Sequence, residues 1–139
     1  MSIEENKQIV RRYQEIYNNN DLDALTEVVS ENLLTPKIMP GIPTGIEGAK
    51  AAHQIMLTGF PDYQTVIDDL FAEGDKVVAR ITMSGTNTGT FMGIPATGKH
   101  VEFTGIYIAR IADGKIVEHW GEEDAVSLLT QLGAMPNMG

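Results

Sequence analysis

Cysteine is absent from this 139-residue chain, which excludes thiol catalysis, cysteine metal sites and disulfides. Aromatic residues make up only 6% of it, so each one is a candidate for the core or for a pocket wall. No stretch approaches the roughly 18 uninterrupted apolar residues that a membrane-spanning helix needs. The opening "MSIEENKQIV" has two acids and no apolar segment, and we therefore expect no signal peptide and a cytoplasmic protein.

Basic residues are also in the minority. Ten Lys and Arg stand against 19 Asp and Glu, for a formal net charge of −9. Because an acidic protein repels phosphate backbones, we do not expect nucleic acid as a partner. The lack of a long apolar run leads us to expect no membrane partner. A hydrophobic content of 42% supports a real core, and the length predicts one domain over residues 1–139.

Apolar spacing predicts helices in the first half of the chain. The first predicted helix covers residues 3–19, and a second, short one covers 22–30. An irregular connector rich in proline and glycine follows, with a short strand at 33–35. A third helix is predicted over about 46–58, before a glycine and a proline.

Beyond residue 62 the apolar period changes to two, which predicts strands. Two strand pairs turn at 73–75 and at Asp113-Gly114, with a Gly/Thr-rich loop over 87–99 between them. A closing helix is predicted over 125–133. Helices followed by an antiparallel meander predict an α+β fold with helices on one face of a curved sheet.

Several stretches carry a family resemblance, namely "IVRRYQEIYNNNDLDAL", "FPDYQTVIDDLFAEGDKVVARITMSGTNTGTFMGIPATGK" and "RIADGKIVEHW". They resemble the SnoaL-like family of polyketide cyclases and ester cyclases, over nearly the whole chain. The resemblance implies the NTF2-like cone, whose strongly curved, mainly antiparallel sheet encloses a pocket. It also implies a cofactor-free cyclase that closes a polyketide ring by an intramolecular aldol reaction, without metal. Some relatives are instead hydroxylases.

The resemblance also implies where the site lies. The family's essential acid stands two residues after the histidine of the last strand, and here Gly121 stands two residues after His119. The histidine of the preceding strand corresponds to Tyr107, and the histidine of a "GTH" motif corresponds to Asn87. A first-helix aromatic matches Tyr17. We expect Tyr107 and His119 to face the cavity, with Gly121 leaving space where the acid would be.

Three residues are predicted as catalytic, each with an alternative. His119 is a general base or proton shuttle, or a half-buried histidine bonded to a neighbour. Tyr107 donates to an oxyanion, or packs with its hydroxyl satisfied. Asp124 is an acid at the cavity, or the N-cap of the closing helix. Glu122 and Glu123 are solvated, or one of them replaces the missing acid after a local bulge.

Strand parity orients the last strand. In a regular strand Val117, His119 and Gly121 share one face, and Ile116, Glu118, Trp120 and Glu122 share the other. The family comparison puts the first of these faces inward.

An apolar small-molecule ligand is the expected partner. Arg80 is predicted to orient its carbonyl or carboxylate or, alternatively, to point to solvent or lie buried beside an acid. His53 is predicted at the pocket or, alternatively, in the core or at the rim. The predicted ligand-binding residues are Tyr13, Tyr17, Met39, His53, Met56, Phe60, Arg80, Phe91, Phe103 and Trp120.

Three functions remain open from the sequence. The first is cofactor-free acid/base catalysis on a polyketide or β-dicarbonyl-like ligand, and the second is ligand binding without catalysis. The third is an interaction domain that uses the outer sheet face, since "VVARITM" and "GIYIARI" are apolar on both faces. A homodimer is compatible with all three and is expected. No His, Asp and Glu spacing indicates a metal site, and the resemblance implies that no cofactor is needed.

Overall fold

A computed structural model describes residues 2–35 and 41–135 and has a mixed α+β architecture, which confirms the predicted fold class. The helices are α1 (Ile3–Asn18), a short 3-10 helix (Leu22–Glu27), α2 (Gly45–Gly59) and α3 (Ala125–Gln131). The strands are β1 (Val29–Leu34), β2 (Gln64–Glu73), β3 (Lys76–Thr86), β4 (His100–Ala112) and β5 (Lys115–Glu123). Within these residues, every helix is too short or too polar to cross a membrane.

The five strands form one sheet in the order β1-β5-β4-β3-β2. All neighbours are antiparallel except β1 and β5, which run parallel. Both predicted hairpin turns are confirmed, with Gly74 and Gly114 at positive φ. Bulges between Ile67 and Asp69 and between Arg110 and Ile111 interrupt the register, and bulges of this kind bend a sheet.

Helix α1 begins with a capping box. The Ser2 hydroxyl accepts from the Glu5 amide, and the Glu5 carboxylate accepts from the Ser2 amide. The helix ends near Asn20, which adopts the left-handed conformation (φ 56°) that asparagine tolerates. The predicted first helix is therefore confirmed to within one residue.

The last turn of α1 also covers the free edge of the sheet. The Asn18 side-chain amide accepts from the Thr65 N–H and donates to the Thr65 carbonyl, both at 2.9 Å. Gln14 donates to the same carbonyl at 2.8 Å. Two side chains therefore pair the outward-facing backbone groups of Thr65 on the edge strand β2.

The second predicted helix is partly wrong. A 3-10 helix ends at Glu27, and Val29 already begins β1, well before the predicted strand at 33–35. Val29 pairs with Ile116 of β5, and the Val28 carbonyl accepts from the Ile116 amide at 2.7 Å. Because the β-branched Val28 and Val29 gain a sheet partner, tertiary pairing overrides the helical spacing.

Among the described residues the core forms two clusters. The larger lies between α1, the 3-10 helix, β1 and the inner faces of the long strands. The smaller contains Phe60, Phe91 and Phe103, which were predicted to contact the ligand. That prediction is wrong for all three, because they pack with one another and with Leu128 instead of lining the cavity described below.

Two glycines make room for these rings. A Cβ on Gly59 would lie 2.6 Å from the Phe91 Cβ, and one on Gly85 would lie 2.8 Å from the Phe60 Cβ. The Phe60 and Phe91 ring centroids are 5.2 Å apart in an edge-to-face arrangement. The smaller cluster is therefore packed so closely at these two glycines that neither position has room for a side chain.

The outer face of the sheet, opposite α1 and α2, keeps large apolar side chains exposed. Phe71 and Ile106 are 58% and 50% exposed. They lie among charged residues such as Arg80, which pairs with Ile106 in register. The homodimer expected from the sequence stays a prediction.

Asn87 organises the loop over 87–99 as a fully buried side chain. Its amide nitrogen donates to the carbonyls of Gly59 and Gly89, at 3.2 and 2.9 Å. Its oxygen accepts from the Thr97 amide and hydroxyl, at 2.9 and 2.8 Å. At the position that corresponds to the histidine of the "GTH" motif, this chain therefore has a structural amide.

We predict that Asn87→Ala lowers the free energy of unfolding by about 3 kcal/mol, because it leaves buried backbone groups without partners. The matched change Thr97→Val removes one hydroxyl from the same network and is expected to cost about 1 kcal/mol. Urea denaturation measures both. Equal costs for the two variants would contradict the central role of Asn87.

Candidate functional site

A cavity of about 670 Å³ lies between α1, α2 and the inner face of the sheet. Its wall is mostly apolar, with polar groups contributed mainly by tyrosine, histidine and glutamate. Neither lysine nor arginine is among its lining residues in the described part of the chain. Within residues 2–35 and 41–135, no three His, Asp or Glu side chains are arranged to hold a metal ion. The described part of the wall therefore offers hydrogen-bonding groups and carboxylates, and no lysine or arginine.

Strand β5 contributes residues to the cavity wall, and its register with β4 is interrupted near its first residues. Arg110 pairs with Glu118 and Ile111 with Ile116, so Val117 is an extra residue in the ladder. Ile116 consequently shares the inner face with His119 and is 1% exposed, whereas regular parity put it on the opposite face. For His119, the predicted inward orientation is confirmed by its place in the cavity wall.

Tyr107 fills the space above Gly121, its register partner on β5. A Cβ on Gly121 would lie 2.4 Å from the Tyr107 Cε1. On the other side of the ring, a Cβ on Gly105 would lie 3.1 Å from the Tyr107 Cε2. The expectation that Gly121 leaves open space is therefore wrong, because the tyrosine ring lies in a slot between two glycines.

Tyr107 also connects two polar residues of β5. Its ring stacks on His119 with centroids 5.2 Å apart and planes at 14°. Its hydroxyl donates to the Glu123 carboxylate. The ring thus lies between an imidazole on one side and a carboxylate at its tip.

Glu123 was predicted to be solvated, with a replacement role as the alternative. It lies at the rim of the cavity and pairs in register with Gly105. Parity was the signal that pointed to it, since residues 119, 121 and 123 fall on one face of β5. The structure therefore brings a carboxylate to the site two residues beyond the family's acid position.

Burial sets the protonation states in the wall. It lowers the pKa of His119 to about 4, so the imidazole is neutral near pH 7. Burial also raises the pKa of Tyr107, and the charge of Glu123 raises it further. Tyr17 is raised by burial to a pKa of about 12. The histidine is a weak base here, while the tyrosines keep their protons.

Aromatic rings continue from His119 across the helical wall. His119 lies 5.4 Å from Tyr13, which lies 4.6 Å from Tyr17, in both cases between ring centroids. Tyr17 is 4.4 Å from His53, and His53 is 6.0 Å from Tyr63. Sequence reasoning missed Tyr63. The alternation in "DYQTVI" predicted that Tyr63 stands at the start of β2, but it did not indicate where the tyrosine side chain points.

His53 combines the two locations predicted for it, the pocket and the core or rim. It lines the cavity, yet it is only 6% exposed and its Nε2 lies 3.1 Å from the Asn20 Oδ1. Burial lowers its pKa. Met56 and Trp120 also border the cavity, whereas Met39 lies outside the described residues.

The predicted pocket role of Arg80 is wrong. Its side chain is about half exposed on the outer face, where its Nε donates to the Asp69 carboxylate at 2.7 Å. Asp68 lies 3.9 Å from its guanidinium. Since Ala79, its chain neighbour, lines the cavity, strand alternation turns Arg80 outward.

Asp124 follows β5 and begins α3. Its carboxylate accepts from the Ser127 amide at 3.0 Å, as an N-cap does. It is exposed and is absent from the cavity wall. The structure therefore favours the capping interpretation and does not bring Asp124 to the site.

Comparisons with known proteins agree with this geometry. A family model described as SnoaL-like polyketide cyclase matches residues 7–132. The chain is 30% identical over 128 residues to the aklanonic acid methyl ester cyclase DauD of Streptomyces sp. (strain C5), covering 90% of this chain and 80% of DauD. It is also 30% identical to the aklanonic acid methyl ester cyclase DnrD of Streptomyces peucetius, covering 90% and 88% of the two chains. The structure of TsrD from Streptomyces laurentii matches with a TM-score of 0.88 at 35% identity, covering 97% and 99%. These findings confirm the resemblance and the NTF2-like cone that it implied.

We predict that Gly121→Ala lowers the free energy of unfolding by about 2 kcal/mol, because the stacked and hydrogen-bonded Tyr107 ring cannot move aside freely. In a Tyr107→Ala background the same change is expected to cost less than about 0.5 kcal/mol. Urea denaturation of the four proteins in this double-mutant cycle measures the coupling. Additive costs would contradict the packing described here.

We also predict a pH-dependent stability that arises from His119. Because its folded-state pKa of about 4 lies below its unfolded value of about 6.5, the unfolded chain binds more protons in that window. Stability is therefore full above about pH 6.5 and is lost as the pH falls toward 4, by at most about 3 kcal/mol.

Urea denaturation of wild type and His119→Gln between pH 7 and 4.5 isolates this contribution. His53 and Asp62 also have lowered pKa values, so the variant keeps part of the slope. Identical slopes in the two proteins would contradict the assignment.

Proposed function

The chain belongs to the SnoaL-like polyketide cyclase family, and we propose that it performs cofactor-free acid/base chemistry of the intramolecular aldol type on an apolar polyketide or β-dicarbonyl compound. One observation carries the proposal. The Tyr107 ring covers Gly121 and its hydroxyl donates to Glu123, so that a carboxylate is held at the cavity although the family's acid position is a glycine.

In the proposed reaction Glu123 is the acid/base. Its carboxylate takes a proton from the carbon between two carbonyls, and the C–H electron pair enters the enolate. The enolate carbon attacks a third carbonyl, elsewhere in the same molecule, and forms the new C–C bond as the C=O π pair moves onto oxygen to give an alkoxide. The protonated Glu123 then returns its proton to the resulting alkoxide, so that no oxidant or reductant is needed.

His119 has a supporting part in this proposal. With a pKa of about 4, it accepts a proton too weakly to serve as the main base near pH 7. As a neutral ring it can both donate and accept hydrogen bonds, and it stacks on the tyrosine that holds Glu123. We assign it to positioning Tyr107 and to hydrogen bonding with the ligand.

The absence of lysine and arginine from the described wall favours an uncharged ligand. A free carboxylate would lose its hydration without gaining a cationic partner from residues 2–35 and 41–135, which is costly in an apolar cavity. An ester or a ketone has no such cost. The name of the relatives DauD and DnrD refers to a methyl ester, which agrees with this reasoning.

The test follows deuterium exchange at C2 of benzoylacetone by NMR, together with conversion of aklanonic acid methyl ester by chromatography. We predict that Glu123→Gln lowers the catalysed exchange rate by about 10² or more, since general-base catalysis contributes that much. The control Glu102→Gln makes the same chemical change on an exposed residue of β4 outside the cavity wall. It is expected to stay within about twofold of wild type.

Unchanged exchange in Glu123→Gln would contradict the assignment of the base. A second function is favoured by the closed position above Gly121, namely ligand binding without catalysis. Saturable binding of both compounds, with exchange no faster than in buffer, would support that function instead.

A further inference from the structure

Four tyrosines line the cavity, and each phenol has a single proton to donate. Tyr13 donates to the Tyr17 hydroxyl at 3.1 Å, and Tyr17 donates to the Ala49 carbonyl at 3.4 Å. Tyr107 donates to Glu123. Each of these three hydroxyls therefore already donates its proton to another group of the protein.

Tyr63 is different. Its hydroxyl has no hydrogen-bond partner among residues 2–35 and 41–135. Tyr63 is only 9% exposed. Its hydroxyl oxygen nevertheless keeps some accessible surface, because it is not one of the fully buried side-chain atoms that lack a hydrogen-bond partner in the described residues. Tyr63 lines the cavity, and two other wall residues, Glu123 and Tyr17, act electrostatically on its phenol, so we infer that this accessible oxygen faces the ligand space.

The position of Tyr63 is fixed by its surroundings. Its ring packs in the smaller core cluster, and its amide donates to the Phe60 carbonyl at 2.9 Å in the turn before β2. Burial raises its pKa, and the negative charge of Glu123 raises it further, so the hydroxyl remains a donor near pH 7. A rigid phenol with a free proton therefore faces the same cavity as the proposed base.

We propose that Tyr63 is a catalytic residue that donates a hydrogen bond to the carbonyl oxygen that becomes the enolate oxygen when Glu123 removes the adjacent proton. The inference rests on the proposed function. A donor held in place before the reaction stabilises the charge that develops on oxygen more than it stabilises the neutral ketone. Such a donor raises the rate more than it raises ground-state affinity.

The first experiment measures benzoylacetone exchange in Tyr63→Phe. We expect the turnover rate to fall by about 10² to 10³, as when one oxyanion donor is removed, with little change in KM. Tyr13→Phe removes a hydroxyl from the same cavity wall whose proton is already committed, and its loss is expected to be less than about tenfold. The melting temperature of Tyr63→Phe should match that of wild type, because no protein hydrogen bond is lost.

A second measurement does not depend on turnover. The infrared carbonyl stretch of bound 1-tetralone should lie at lower frequency in wild type and in Glu123→Gln than in Tyr63→Phe, since only the last variant lacks the donor. An equal stretch in all three proteins, or unchanged exchange in Tyr63→Phe, overturns the role of Tyr63. A lowered stretch that depends on Tyr63, without exchange in wild type, overturns the proposed function and the catalytic role of Tyr63, and it supports only the hydrogen bond from Tyr63 to the ligand carbonyl. Failure of both ketones to bind overturns both proposals.

Discussion

The packing of one tyrosine ring between two glycines determines how this site is arranged. Tyr107 can lie flat along the inner face of the sheet only because Gly121 and Gly105 have no Cβ to meet it. In that orientation the ring reaches His119 with its face and Glu123 with its hydroxyl. The imidazole, the phenol and the carboxylate are therefore positioned by one steric condition instead of three separate ones.

The same condition changes how the family's acid position is understood. A glycine in place of an acid suggests loss of function when it is considered alone. Beside Tyr107 it is a requirement of packing, and the next inward position on β5 holds a carboxylate. The proposals for Glu123 and Tyr63 both rest on the hydrogen bonds of the cavity wall. Glu123 accepts the proton of the Tyr107 hydroxyl, and the Tyr63 hydroxyl still has its proton to donate to a ligand.

Much of the fold was predictable because its signals are local. The Asp113-Gly114 turn, the apolar spacing of α1 and the period-two strands each depend on a few nearby residues, and all three appear in the structure. The start of β1 was not predictable in this way, since Val29 becomes a strand residue through pairing with Ile116, far along the chain. Of the site, strand parity together with the family resemblance predicted the inward faces of Tyr107 and His119. Parity failed at Ile116, because a bulge leaves no mark in the sequence. Arg80 and the three phenylalanines were misplaced for a related reason, since residue type alone does not distinguish a core from a cavity wall or an outer face.

The pairing of Asn18 with Thr65 has a consequence for how the molecule behaves among its own copies. Strand β2 is the last in the sheet, and an open edge there would act as a template for adding strands from other chains. A side-chain amide presents the same donor and acceptor as a backbone peptide, but it has no further groups in line to continue the ladder. At this end of β2 the sheet is therefore terminated from within its own chain, and growth by strand addition at Thr65 would first have to displace the end of α1.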